Sequence, residues 1–392
     1  MTTELAPTRV RLRTPADLID AVPYLVGFSP QNSLVMLALH GERKRLGIVS
    51  RVDLPDPEHA AALAAGAVGY LLGDGADQAA AIFYPPSDGP EHPSVQPIAD
   101  ALDAALSAAG IEVVEILCVT ADRWWSLRCS GADCCPPDGK PITHEGTSII
   151  AATSALHGVA LYRTREELAR SIDLVDSPLA AEMAEALPLA RAAREARVAA
   201  HDRLGACAAF FQLVTNLIEM RLEGTGSTLT VDDAAQLIVG LDDLAVRDAM
   251  LTWHGGDWGD ATRALFAELV TLAVPPYDIA ALTVLGWLAY LNGDGALANV
   301  IVDRALGPDP QNRVVDGRPG YNLMRILDDA LSGAINPKIF RDSLAASGGW
   351  GDEAISPIPR RPAYRRRQAS AGSPASPAGA PRSMRSKQRR RR

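Results

Sequence analysis

Three of the chain's five cysteines, Cys129, Cys134 and Cys135, fall within seven positions, and chemistry is sought there first. Thiolates at that density could serve a zinc ion, with His144 nine residues further on as a fourth ligand. Against zinc, the run Cys-x4-Cys-Cys has no Cys-x-x-Cys step, and neighbouring cysteines seldom both ligate one ion. Cys129 could instead pair with Cys134 or Cys135 as a redox switch, although a reducing compartment disfavours a lasting bond. The plainest reading is a structural loop of small thiols, turned back by Pro136-Pro137 and Asp138-Gly139. No cofactor is predicted on these grounds. Cys129, Cys134 and Cys135 stand as the candidate metal ligands. Cys118 and Cys207 sit in apolar runs and read as core.

One other polar group merits the same question. Asp122-Arg123 follows a strand-like run, and His144-Glu145 lies beyond the cysteine loop. Ligands in open α/β sheets bind past the carboxyl ends of strands, but a surface ion-pair set explains the same residues. The sequence has no G-x-G-x-x-G after a strand, no G-x-x-x-x-G-K, no G-x-S-x-G and no H-E-x-x-H. No catalytic residue is identified, and whether the chain is an enzyme stays open.

The elements that must position these residues are readable. Thr14-Pro15 opens a helix, with Thr14 as N-cap and Pro15 in the first turn, and Pro23 lies at its end. Runs at 33–40 and 47–54 flank a polar turn and predict a hairpin. Strands follow at 79–84 and 112–120, with helices between at 57–72 and 95–109. Alternating strands and helices predict a mixed, partly parallel sheet. Residues 121–147 read as irregular, and a helix starts at Thr164. From Pro178 the strand signal ends, and helices succeed one another to about Ala346. The organisation expected is an α/β domain over 1–176, an all-helical domain over 177–348 and a disordered Arg-rich tail over 349–392.

The helical region matches itself at a shift of 34 residues. Leu251 falls on Leu285, Trp253 on Trp287, Gly259-Asp260 on Gly293-Asp294, Ala264 on Ala298 and Pro276 on Pro310. That period, with a Gly-Asp turn and a closing Pro, resembles a tetratricopeptide repeat. Stacked helical hairpins present grooves. The two tryptophans could therefore pack between hairpins or face a partner.

Two segments together carry a wider likeness. Leu12 to Leu18, then Val22-Pro23-Tyr24-Leu25-Val26-Gly27-Phe28-Ser29-Pro30, form the first. Trp125 to Gly139, with Cys-x4-Cys-Cys-Pro-Pro-x-Gly, is the second. With Trp287, Gly293-Asp294 and Asp309-Pro310, the chain resembles the DUF4192 family over most of residues 10–345. The resemblance implies an actinobacterial source and assigns no activity.

Composition sets the remaining bounds. Hydrophobic residues make up 47% and aromatics 5%, so cores of Ala, Leu and Val in closely packed helices are expected. No run reaches the roughly 20 apolar residues of a membrane span, and no signal peptide is read at Met1–Arg13. A cytoplasmic protein without membrane contact is expected. The net charge of −9 hides a division: residues 360–392 hold twelve Arg/Lys and no acid, so all that precedes is strongly acidic. An acidic body argues against nucleic-acid binding by the folded part, while the tail could touch polyanions weakly and without specificity. The activity is unknown on this evidence. The reading it favours is a scaffold that holds a protein partner through its helical domain. The alternative is an enzyme or small-ligand sensor with a pocket at the strand ends near Asp122.

Overall fold

The computed structural model describes residues 12, 14–86, 95–129, 131, 134–142, 161–175, 178–224, 229–307 and 322–346. His144, Glu145, Pro310 and the Arg-rich tail lie outside these residues.

Helix α1 (Pro15–Val26) starts as its sequence dictates. The Thr14 hydroxyl accepts from the Asp17 amide at 3.2 Å, and the Asp17 carboxylate accepts from the Thr14 amide at 2.9 Å. This reciprocal pair satisfies two donors that a bare helix end leaves open. The helix runs through Pro23 to Val26, one turn past its expected end, and Gly27 closes it at φ 82°.

The sheet has six strands in the order β2-β1-β3-β4-β5-β6. β1 (Ser33–His40) pairs antiparallel with β2 (Arg45–Asp53) and with β3 (Gln78–Tyr84); β3 pairs parallel with β4 (Glu112–Val119). The sheet is therefore mixed and partly parallel. β1 is apolar at almost every position because both its faces are covered. Leu34, Met36, Phe83 and Ile116 pack under α2 (Ala60–Asp74) and α3 (Gln96–Ala108). Val35, Leu37, Ile82 and Leu117 belong to an apolar cluster that includes Val22 and Val26 of α1.

Past β4 the structure corrects the sequence reading. Residues 123–126 form β5 and 140–141 form β6, each antiparallel to its neighbour. A four-residue and a two-residue strand carry no usable periodicity. Both exist through long-range pairing, such as Cys118 with Trp125 and Trp124 with Lys140.

Helices fill the rest: α4 (Arg165–Arg170), α5 (Pro178–Ala199), α6 (Arg203–Leu222), α7 (Val231–Gly240), α8 (Leu244–Met250), α9 (Gly256–Leu272), α10 (Ile279–Leu291), α11 (Gly295–Leu306), α12 (Asn322–Ser332) and α13 (Pro337–Ala346). Asp202, Thr230, Asp243 and Asp294 cap α6, α7, α8 and α11 through side-chain oxygens. α10 is buried from Ala281 to Leu291, as expected of a helix surrounded by others. At Gly286 an added Cβ would lie 2.8 Å from Leu327 and 3.2 Å from Ile301. The missing side chain is what lets α10 approach α11 and α12.

The 34-residue correspondence has unequal geometry. Gly293 takes φ 85° between α10 and α11, and Asp294 accepts from the Leu297 amide at 3.0 Å. Gly259 and Asp260 instead lie inside α9. Both tryptophans pack inward. Trp253 is 8% exposed against Phe211 and Trp258, and Trp287 is 2% exposed against Tyr290 and Phe340.

The sheet and the helices share one apolar cluster that runs from Leu37 and Ile82 through Leu168 and Ile172 to Leu285 and Ile301. Polar ties cross the same boundary. The Val175 amide donates to the Thr271 carbonyl at 2.9 Å, and Arg304 donates to the carbonyls of Ile172 and Val270. Asp74 accepts from the Asn336 side chain at 2.6 Å and the Ile48 amide at 3.1 Å, and it meets His40 at 2.8 Å.

Candidate functional site

Two places combine accessible side chains with defined geometry. The first is the cysteine loop. Its base is set by β5, where Trp125 donates its indole N–H to the Pro137 carbonyl at 3.0 Å. Arg123 donates to the carbonyls of Asp138 and Gly139 at 2.9 and 3.0 Å. Gly139 holds φ 73°, and a Cβ there would overlap the Trp125 ring. Only glycine satisfies both conditions. Lys140 then lies over the Trp124 ring at 5.3 Å.

Within the loop the Gly131 carbonyl accepts from the amides of Cys134 and Cys135 at 3.2 and 2.7 Å. That turn brings the three sulfurs together, all within 4.8 Å of one another. Cys129 Sγ and Cys134 Sγ lie 3.0 Å apart, and all three are free thiols, half-buried or exposed. A Cβ on Gly131 would come within 2.9 Å of the Cys134 sulfur, which would have to shift to admit it. Hydrogen bonds from Cys134 and Cys135, and then from the Gly131 backbone, hold the Cys129 thiol below its ordinary range. The Cys135 thiol is pushed up to about 12 by its bond to Cys129, with burial second.

Of the expected strand-end group, His144 and Glu145 lie outside the described residues. Arg123 is committed to the loop carbonyls, and the Asp122 carbonyl accepts from the Ile142 amide at 2.8 Å. The other gathering of potential ligands, Asp56, Glu58 and His59, is fully exposed where the chain enters α2.

The second place is a groove of about 910 Å³ between α5 and α6, floored by α7. α5 carries two stripes. Met183 and Leu187 are buried. Leu179, Glu182, Ala186, Leu189 and Ala193 line the groove at steps of three and four. Ala206, Ala209, Phe210 and Leu213 of α6 face them, and Val231, Ala235 and Val239 of α7 lie below. Leu189 is 72% exposed.

The charges around the groove are unequal in availability. Arg194 and Arg197 are engaged by Asp243 and Asp202. Glu182, Glu185 and Asp232 line the groove with no hydrogen-bond or ion-pair partner among the described residues. Behind the wall, Asp243 takes both nitrogens of Arg203 at 2.6 Å and fastens α6 to the start of α8. Burial raises the Asp243 carboxyl, but the Arg203 fork outweighs it and the net shift is downward.

Sequence reasoning missed this groove. Its trace was the second apolar stripe of α5, in phase with Leu179 and Leu189 rather than with Met183 and Leu187.

The family model described as a domain of unknown function, DUF4192, matches residues 15–338. No curated protein and no solved structure matches the chain.

Proposed function

The chain belongs to the DUF4192 family, whose description carries no activity, and from that premise we propose that it is a scaffold that receives a partner protein in the groove between α5 and α6. One observation carries the reading: solvent-facing leucines at helical spacing beside carboxylates that have no ion-pair partner among the described residues. Monomeric proteins seldom leave such a patch bare unless something covers it. The occupant this chemistry fits is an amphipathic helix of another protein. It would have Leu or Ile at i, i+3 or i+4 and i+7, and Arg or Lys on the flank that meets Glu182, Glu185 and Asp232. The chain's own cationic tail is a poor match, because residues 360–392 contain no Leu, Ile, Val, Phe or Trp. The α10–α11 hairpin, with its Gly293-Asp294 turn and buried Ala298, supports a tetratricopeptide-like origin for this region.

Selection of displayed random peptides on the full chain tests the proposal. Enriched peptides should share an apolar helical stripe with flanking cations. Their binding should be lost in Leu189→Asp and weakened in the Glu182→Lys, Glu185→Lys double variant, with melting unchanged. Peptides of other composition, or binding indifferent to Leu189→Asp, would overturn it.

A further inference from the structure

The geometry points to a second site: we infer that Cys129, Cys134 and Cys135 form a three-thiolate centre for a soft divalent cation of the zinc class. A tetrahedral zinc ion holds sulfur at about 2.3 Å, which places ligand sulfurs about 3.8 Å from one another. Here the pair Cys129–Cys134 stands at 3.0 Å and all three sulfurs lie within 4.8 Å. Movements below about 1 Å would turn this triangle into one face of that tetrahedron.

The supports around the sulfurs are those a thiolate centre needs. The Gly131 carbonyl takes the amides of Cys134 and Cys135, and hydrogen bonds of this kind fix the direction of ligands. Trp125 and Arg123 hold the far side of the loop to β5, so the sulfurs sit on a braced turn.

A disulfide accounts for less of what is seen. It would use two sulfurs, leave the convergence of the third unexplained, and require about 2.05 Å between its atoms. Cation binding uses all three. The balance is simple: three thiols release three protons, and one divalent ion takes three thiolates to give a unit of charge −1. Cys134 is the exposed member of the group, and water can supply a fourth ligand. Because three protons leave, affinity falls steeply as pH drops.

The test uses the full reduced chain and zinc itself. Zinc is titrated in competition with a chromophoric chelator, and alkylation is mapped by mass spectrometry with zinc and with excess chelator. The expected result is one zinc per chain, with Cys129, Cys134 and Cys135 shielded together and released together by chelator. Cys129→Ser and Cys134→Ser should each lose stoichiometric binding. The shielding map on the unaltered chain decides the question even where a variant folds poorly. Binding below one equivalent, shielding of a different set, or a Cys129–Cys134 disulfide insensitive to zinc would each overturn the assignment.

Discussion

Replacing Trp287 with alanine tests whether the repeated tryptophans are internal supports or partner contacts. The indole is 2% exposed. It meets Tyr290 edge-on at 5.7 Å and Phe340 at 5.0 Å between centroids, and its N–H donates to the Leu323 carbonyl at 2.9 Å. It thus joins α10, α12 and α13 at one point. Truncating a buried tryptophan costs about 3–5 kcal/mol through lost transfer energy and the cavity left behind. The Leu323 carbonyl also loses its donor, a loss of about 1 kcal/mol that overlaps with the first figure. A domain stable by about 5–15 kcal/mol gives up a large part of its margin. Urea unfolding followed by circular dichroism should show the midpoint falling with an unchanged slope. Trp287→Phe, which keeps a ring against Tyr290 and Phe340 but removes the N–H, should fall between the two. A loss under about 1 kcal/mol in Trp287→Ala would refute the packing argument. A well-folded variant that loses a binding partner would show instead that the ring faces outward.

Four other outcomes follow from the same geometry. Gly139→Ala should disorder the cysteine loop, because a Cβ overlaps Trp125 at a positive φ; the readout is faster alkylation of Cys129, Cys134 and Cys135 with melting lowered only modestly. Asp243→Ala should cost about 1–3 kcal/mol, because it removes the cap of α8 and the charged partner of Arg203, whose side chain is still 38% exposed, seen as a lower urea midpoint. The Asp243 carboxyl is depressed in the folded chain, so its contribution is complete above the unfolded carboxylate range and disappears as pH falls through the folded value; Asp243→Asn should flatten the acid limb of the stability profile. Removing residues 357–392 should abolish salt-sensitive retention on a polyanion column, since twelve cations without an acid leave with them, and retention unchanged by the deletion would contradict this.

The sequence made the first half of the fold legible because its signals there are local. Thr14 and Asp17 cap a helix without outside help, and the runs in β1, β3 and β4 are long enough to show their burial. What stayed hidden depends on distant pairing. β5 exists because Trp124 and Trp125 find Val119 and Cys118, and no spacing within Arg123–Ser126 announces that. The 34-residue match likewise does not announce where its turns fall. Gly293-Asp294 makes a turn, whereas Gly259-Asp260 sits within α9 because Gly255 and Gly256 have already turned the chain, at φ 86° and 62°. The cysteines were visible as a group, but their convergence rests on the Gly131 carbonyl, which sequence spacing does not reveal.

The two candidate sites emerge together when the polar side chains are sorted by what already occupies them. Arg123 and Trp125 are taken up by loop carbonyls, Asp74 by β2 and the entry to α13, Asp243 by Arg203, and Asp294 by the first turn of α11. Each spans two segments and each would cost stability if removed, so none is free to act on a ligand. Burial raises the Asp294 carboxyl, yet its capping bond to Leu297 gives that burial a structural purpose. Two kinds of group among the described residues remain accessible within a defined geometry. The sulfurs of Cys129, Cys134 and Cys135 bond chiefly among themselves and to Gly131, at an accessible edge. The carboxylates of Glu182, Glu185 and Asp232 line a groove beside Leu189 with no described partner. Soft thiolates suit a metal ion, and apolar ridges edged with negative charge suit a cationic amphipathic helix. The two proposed sites share no residue and no bracing contact, so a defect at one should leave the other intact.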